Sequence, residues 1–192
     1  MSSEQQLIDR AKHDPGAFGE LYDRYYPRIL RYVFRLTADH TVACDITSEA
    51  FLKAWIKIGT FQWKGISISS WFFRIATNEL NQYFRRKTYT PHRLLDLSLT
   101  DLSAIASGTS SDCQLPDPGT QLEKMEEYRQ MHTLLATLAP DYQKVIALRY
   151  FEELPIKEIS DILRKKEGTV RSLLSRGLDK MKKLMDQPAT PR

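Results

Sequence analysis

Between Phe61 and Lys87 the chain reads FQWKGISISSWFFRIATNELNQYFRRK. This stretch holds two of the three tryptophans, four phenylalanines and a tyrosine, set among Lys64, Arg74, Arg85, Arg86 and Lys87. Rings interleaved with cations suit unstacked nucleic acid. The cations follow the phosphates, and each base stacked on a ring contributes about 1–3 kcal/mol. Thr77, Asn78, Asn81 and Gln82 fall opposite the apolar positions, where amides can read base edges. Packing is the competing reading, because Trp71, Phe72, Ile75 and Phe84 lie near helical spacing and fit a core. Phe61, Trp63 and Lys64 belong to a loop with KGISIS, which need not bury them, so they are the better candidates for exposed work.

A second constellation lies between residues 156 and 185. IKEISDIL, a short turn RKKEG and TVRSLLSRGLDKMKKLM form two helices joined by a Gly-containing turn, the second basic and opened by Thr169. Val170, Leu173, Leu174, Leu178, Met181 and Leu184 are expected to face inward. Thr169, Arg171, Ser172, Ser175 and Arg176 are expected to face outward, where a recognition helix meets base edges in the major groove. Lys165 and Lys166, in the turn, suit phosphates. A plain helical hairpin with a solvated basic face has the same pattern. If both constellations bind DNA, one is built for duplex and the other for opened strands.

The elements that carry these residues read as helices throughout, and strand signals are weak. CDITSEAFLKAWIKI places Ile46, Ala50, Phe51, Ala54, Trp55 and Ile58 on one apolar stripe. Asp45 or Thr47 is expected to cap it, with Glu49 in its first turn and Gly59 as its stop. Upstream, AFGELYDRYYPRILRYVFRLT reads as helix that Pro27 is expected to bend or break. Ser69 or Ser70 is expected to cap a helix running to Arg86. The expected fold class is all-α: two small helical domains, 1–93 and 121–192, joined by a flexible linker, 94–120, rich in Ser, Thr, Asp, Gly and Pro. LLDLSLTDLSAI, ahead of the linker's most polar part, reads either as a short helix or as a segment that docks in a partner's groove.

The net charge of +4 is mild, but it is segregated. Residues 53–93 carry eight Lys/Arg against Glu79 alone, residues 94–127 carry seven acids against Lys124 alone, and residues 164–192 carry nine bases against three acids. That order predicts two polyanion-binding surfaces separated by a segment that avoids them. There is no long apolar run and no signal-like N-terminus, so no membrane insertion and a cytoplasmic location are expected. Cys44 and Cys113 form no metal or disulfide pattern, and Cys113 is expected to be an exposed linker thiol. His13, His40, His92 and His132 are scattered, with no phosphate loop or metal spacing. No enzyme, cofactor or metal is therefore expected.

The chain also resembles the extracytoplasmic-function sigma factors of the sigma-70 family. FGELYDRYYPRILRYVFRLT, DITSEAFLKAWIKIGTF, SSWFFRIATNELNQYFRRK and LATLAPDYQKVIALRYFEELPIKEISDIL…GTVRSLLSRGLDKMKKL follow that family's order. The resemblance implies an initiation subunit that binds core RNA polymerase, directs it to promoters and assists melting. The helix of Asp45–Ile58 would dock on the clamp helices of the largest subunit through Asp45, Glu49, Leu52 and Lys53. The loop Phe61–Ser69 would capture a base flipped from the −10 element. The helix after it would read and melt that element through Arg74, Thr77, Asn78, Asn81 and Gln82, with Arg85 and Arg86 at its end. The helix-turn-helix would bind the −35 element as duplex and approach the flap of the second-largest subunit. An anti-sigma factor is implied as inhibitory partner. Four positions depart from the pattern: Gln82 stands for an Asp, Pro155 for a Ser or Thr cap, Arg164 for a Gly and Leu173 for an Arg. A stand-alone repressor or activator binding duplex DNA is the alternative. Such a protein needs dimer symmetry, and no dimerisation helix is evident.

Overall fold

The computed structural model describes residues 3–62, 66–86 and 133–186. Every regular element among them is helical. In chain order these are α1 (Ser3–Ala11), α2 (Pro15–Thr37), α3 (His40–Lys57), a 3₁₀ turn (Ile58–Thr60) and α4 (Ile68–Arg86), then α5 (Pro140–Ile146), a π turn (Ala147–Phe151), α6 (Ile156–Leu163) and α7 (Glu167–Met185). Residues 133–137 are also helical. The expected linker and both domain boundaries at 93 and 121 lie outside the described residues.

Helix α2 shows how burial overrides a local rule. Asp14 caps it by accepting from the Gly16 N–H at 2.9 Å, Pro15 opens it, and Ala38 closes it in the left-handed region at φ 54°. Pro27 sits inside, yet the helix runs unbroken to Thr37. Leu21 and Tyr25 before the proline and Ile29, Tyr32 and Val33 after it are all buried. Each fully buried side chain of this kind contributes about 1.5–3 kcal/mol, which together exceeds the roughly 3 kcal/mol that an interior proline costs.

Helix starts differ from the sequence expectation at three places. Helix α3 begins at His40, where Asp39 caps by accepting from Val42 N–H at 3.0 Å. Asp45 and Thr47 are therefore interior, and Thr47 is buried with its hydroxyl donating to the Ala43 carbonyl at 2.7 Å. Ser67 takes the cap of α4, since its Oγ accepts from Ser70 N–H at 3.1 Å. Helix α7 opens at Glu167, so Thr169 lies in its first turn. At α3 and α4 a polar residue upstream of the expected one satisfies an orphan N–H group, whereas α7 starts without a side-chain cap, and sequence alone does not rank such starts.

The core of the amino-terminal helices is aromatic. Tyr32, Phe34, Phe72 and Phe73 are fully buried, and the Phe51 and Phe72 rings stack at 4.9 Å. In the carboxy-terminal part, Leu148, Ile159 and Val170 are buried, while α7 crosses α5 closely at Gly177. A Cβ there would meet Ile146 Cδ1 at 3.0 Å and Tyr142 Cβ at 3.3 Å, so the glycine sets how near the two helices lie.

The two halves also pack on each other. Helix α6 lies against α4, and the π turn lies against α2. The buried apolar residues of both halves form one continuous cluster, and polar contacts flank it. Glu152 accepts from Arg28 and Arg35, each at 2.8 Å, and its carbonyl accepts from Arg28 Nη2 at 2.5 Å. The Arg35 guanidinium also lies 4.4 Å from the Phe151 ring centroid. Glu158 accepts from the hydroxyls of Ser67, at 2.8 Å, and Ser70. Lys144 donates to Asn81 Oδ1 at 2.8 Å.

Candidate nucleic-acid interface

Helix α4 presents the amino-terminal face. Asn78, Arg85 and Arg86 are exposed, while Arg74, Asn81 and Gln82 are half-buried. A groove of about 720 Å³ runs beside them, lined by Lys53, Lys57, Asn78, Asn81 and Arg85, by Glu79, which pairs with Lys53, and by Pro140 and Arg164 of the second half. Cations with amides between them give a surface that attracts phosphate and can donate and accept at base edges.

Two residues expected on this face are not on it. Thr77 is buried, and its hydroxyl pairs with Tyr32 Oη at 3.0 Å. It falls on the inner side of α4 because it follows Phe73 by four residues and shares that helix's core stripe. Phe61 is also buried, with its ring 5.1 Å from that of Trp71. The 3₁₀ turn folds it back onto α4 rather than leaving it in the loop. Trp63 and Lys64 lie outside the described residues. Of the aromatic stretch, Phe72 and Phe73 are buried, and Trp71, Ile75 and Phe84 are half-buried against the core.

Helix α7 supplies the second surface. Thr169, Arg171, Ser175 and Arg176 are exposed and Ser172 is half-buried, while Val170, Leu174 and Met181 are buried beneath them. Leu173 and Leu184 pack partly on the core, but Leu178 is exposed. The side chains are held in place locally: Arg171 pairs with Glu167 at 3.1 Å, and Arg176 donates to Ser172 Oγ at 2.6 Å. In the turn, Lys165 reaches Asp141 at 3.1 Å. Burial alone would raise the Asp141 pKa, but its bonds to Lys144 and Lys165 outweigh that and hold it below the ordinary aspartate value. Arg164 adopts φ 52°, ψ 43° at the end of α6, the left-handed conformation that glycine takes at least cost.

A third surface lies on α3. Leu52, Trp55 and Ile56 are exposed, Ile56 at 70%, with Asp45 and Glu49 on the same helix. Lys53 is tied down between Glu79 at 2.5 Å and Glu49 at 3.1 Å. The Glu79 bond raises its pKa against the opposing effect of burial, with Glu49 adding to the rise. Ile56 was not among the expected contacts, and Trp55 was placed on the buried stripe; both sit at its edge, where periodicity stops discriminating. Cys44, half-buried on α3, has its thiol pushed up by burial and by Asp45, with Tyr26 acting the other way.

Comparison with known proteins identifies the family. Residues 21–90 match the model for Sigma-70 region 2, and residues 128–181 match that for Sigma-70, region 4. YlaC of Bacillus subtilis, an RNA polymerase sigma factor, is 30% identical over 167 residues, 86% of this chain and 90% of the relative. The chain belongs to the sigma-70 family. Within it, the extracytoplasmic-function relatives include SigW of Bacillus subtilis, 29% identical over 95% of this chain and 96% of its own length. BldN of Streptomyces coelicolor is 27% identical over 96% of this chain but only 66% of its own length. CnrH, solved with the cytosolic domain of CnrY, shares the fold at 18% identity and a TM-score of 0.65, over 96% of this chain and 98% of its own. The protein is thus an extracytoplasmic-function sigma factor, a transcription initiation factor that acts with RNA polymerase at promoter DNA. None of its described helices is long and apolar enough to cross a membrane.

Proposed function

We propose that this sigma factor divides its work among the three surfaces. Helix α3 docks on the clamp helices of the polymerase's largest subunit through Asp45, Glu49, Leu52 and Ile56, with Lys53 bracing the acids. Helix α4 reads and helps to open the −10 element through Arg74, Asn78, Asn81 and Gln82, while Arg85 and Arg86 hold phosphates. The flipped base enters the loop that carries Trp63 and Lys64. Helix α7 binds the −35 duplex through Thr169, Arg171, Ser172, Ser175 and Arg176, with Lys165 and Lys166 at the backbone and the domain near the flap of the second-largest subunit. Domain limits of 1–93 and 121–192, with an acidic linker between them, fit this division.

The observation that carries the reading is the exposed apolar trio Leu52, Trp55 and Ile56 on a helix whose opposite face is core. A water-facing isoleucine beside acids is what a partner helix would cover. Regulation by an anti-sigma factor is part of the proposal. The structurally similar RpoE of Bartonella quintana, TM-score 0.62 at 19% identity over 88% of this chain and 98% of its own, was solved with the anti-sigma factor NepR. A stand-alone repressor would not need the α3 patch.

The test is co-elution of the purified chain with core polymerase, followed by run-off transcription on a pool of genomic promoters. Ile56→Asp is expected to retain the wild-type melting temperature and to weaken core binding at least about ten-fold, or about 1.4 kcal/mol. Tight binding of the isolated chain to duplex DNA without core association would reverse the reading in favour of a repressor.

A further inference from the structure

We propose that Glu79 is a positioning residue for promoter recognition. It turns the Gln82 amide so that the amide oxygen faces the groove, and Gln82 then selects a −10 base that carries an exocyclic amino group, adenine N6 or cytosine N4. The inference rests on the assignment of α4 as the −10 reader and names the base chemistry at one of its positions.

Three observations carry it. The first is a relay of donors and acceptors. Lys53 of α3 donates to Glu79 Oε2 at 2.5 Å, and Gln82 Nε2 donates to Glu79 Oε1 at 3.5 Å. The two oxygens of one carboxylate are thus divided between two donors. An ammonium group has no lone pair and a carboxylate has no proton to give, so each link has one possible direction. The bond to Gln82 is long, but it need only choose between the two ends of the amide. Turned over, the amide would set its oxygen against a carboxylate oxygen.

The second observation is that the frame of this relay is fixed. Glu79 has 10% of its side chain exposed, and a carboxylate so placed must keep a cation beside it. Lys53 is held in turn by Glu49 at 3.1 Å. Glu79 and Gln82 stand three positions apart on α4, neighbours on one helix surface. All four residues belong to α3 and α4, so none of these bonds involves the second half of the chain.

The third is what remains at the other end of the amide. Gln82 is half-buried and lines the groove together with Asn78 and Arg85. Its Nε2 is committed to Glu79, and among the described residues none bonds its Oε1. A strand in the groove therefore meets an acceptor at this point. On the base edges that face the major groove, adenine N6 and cytosine N4 are the donors, whereas guanine and thymine present carbonyl oxygens. A keto base would set oxygen against oxygen and leave both without a partner.

The experiment uses holoenzyme, reconstituted from the full chain and core polymerase, on a promoter fragment from the run-off pool opened at its −10 element. Each adenine and cytosine of that element is replaced in turn by hypoxanthine or uracil, which exchange the amino group for a carbonyl. Competition binding of the wild type is expected to weaken about ten-fold at one such position. Glu79→Gln is the decisive variant. Lys53 holds the new amide by its oxygen, so the amide nitrogen faces Gln82 and turns the Gln82 amide over. The preference at that position should then reverse, with the carbonyl base bound more tightly. A Glu79 that merely supports the fold would weaken both bases alike; that result, or an unaltered preference, overturns the proposal. If Glu79→Gln fails to fold, Gln82→Met remains: it has no polar end and is expected to bind both bases equally, and a retained preference overturns the proposal. Asn78→Ala tests the underlying assignment. If it binds the opened element as tightly as the wild type, α4 is not the reader and the proposal falls with it. If it binds weakly while the wild type shows no position sensitive to the exchange, the proposal falls alone.

Discussion

Tyr32 of α2 and Thr77 of α4 pair their hydroxyls at 3.0 Å inside the aromatic core. Both are buried, and burial pushes the Tyr32 phenol well above the ordinary tyrosine range. The pair anchors the inner side of the helix whose outer side is assigned to DNA. Thr77→Val removes one partner and leaves the other buried and unsatisfied, at a cost of about 1–3 kcal/mol. Urea denaturation should show that loss, while Asn78→Ala, one residue away and exposed, should leave stability within about 0.5 kcal/mol. Run-off transcription should respond in the reverse order at a temperature where both variants are folded. Equal effects of the two on stability would contradict the division between inner and outer faces.

Arg164 should be replaceable with profit. Its left-handed backbone costs a non-glycine residue about 1–2 kcal/mol, while glycine gives back about 0.5–1 kcal/mol through its greater unfolded-state freedom. Arg164→Gly is therefore expected to stabilise the chain by about 0.5–1 kcal/mol, read as a higher urea midpoint at unchanged slope. A lower midpoint would mean that the guanidinium is worth more than the backbone strain.

The two lysines of the turn are not equivalent. Lys165 is paired with Asp141, whereas Lys166 is exposed. Lys166→Ala is expected to lower the log–log salt slope of duplex binding by about 0.9, the release from one phosphate contact, and to weaken all sequences alike. Lys165→Ala should lower the slope less, because Asp141 already offsets its charge. A loss confined to one promoter sequence would instead mark Lys166 as a base reader.

Asp141 links that turn to the start of α5, and its pKa is held low. A carboxylate depressed on folding contributes stability above its unfolded pKa of about 3.9 and loses that contribution as pH falls through the folded value. Asp141→Asn should thus be less stable than wild type at pH 7, with the gap closing below about pH 4. Thermal melts at pH 7, 5 and 3.5 would show it. A gap that widens on acidification would mean that the lysine pairing is not its source.

Several features were legible in the residues themselves. The α3 stripe of Ile46, Ala50, Phe51 and Ala54 and the inward row Val170, Leu174 and Met181 follow from a 3.6-residue period and are buried as expected. So was the segregation of basic segments around an acidic one, which needs only counting. The alternation of amides and rings on α4 was legible as a face, although not which members of it point outward.

What escaped was decided by competition between neighbours. Pro27 ought to bend or break α2, but the helix continues through it, because the packing of residues on both sides is worth more than one lost hydrogen bond. Phe61 has the composition of an exposed loop residue, but a turn at Ile58–Thr60 brings it onto Trp71. Thr77 is polar, and only the presence of Tyr32, forty-five positions earlier in sequence, makes its burial affordable.

The sequence by itself determined the helical class, the two basic surfaces and the family, because periodicity, charge and motif order are local or additive properties. The seating of Glu152 between Arg28 and Arg35, 117 to 124 residues away, was decided only by the tertiary structure. A carboxylate on a helix-turn-helix domain reads as one more surface acid until the fold brings two guanidinium groups to it and excludes water. No pattern in the intervening chain encodes that distance.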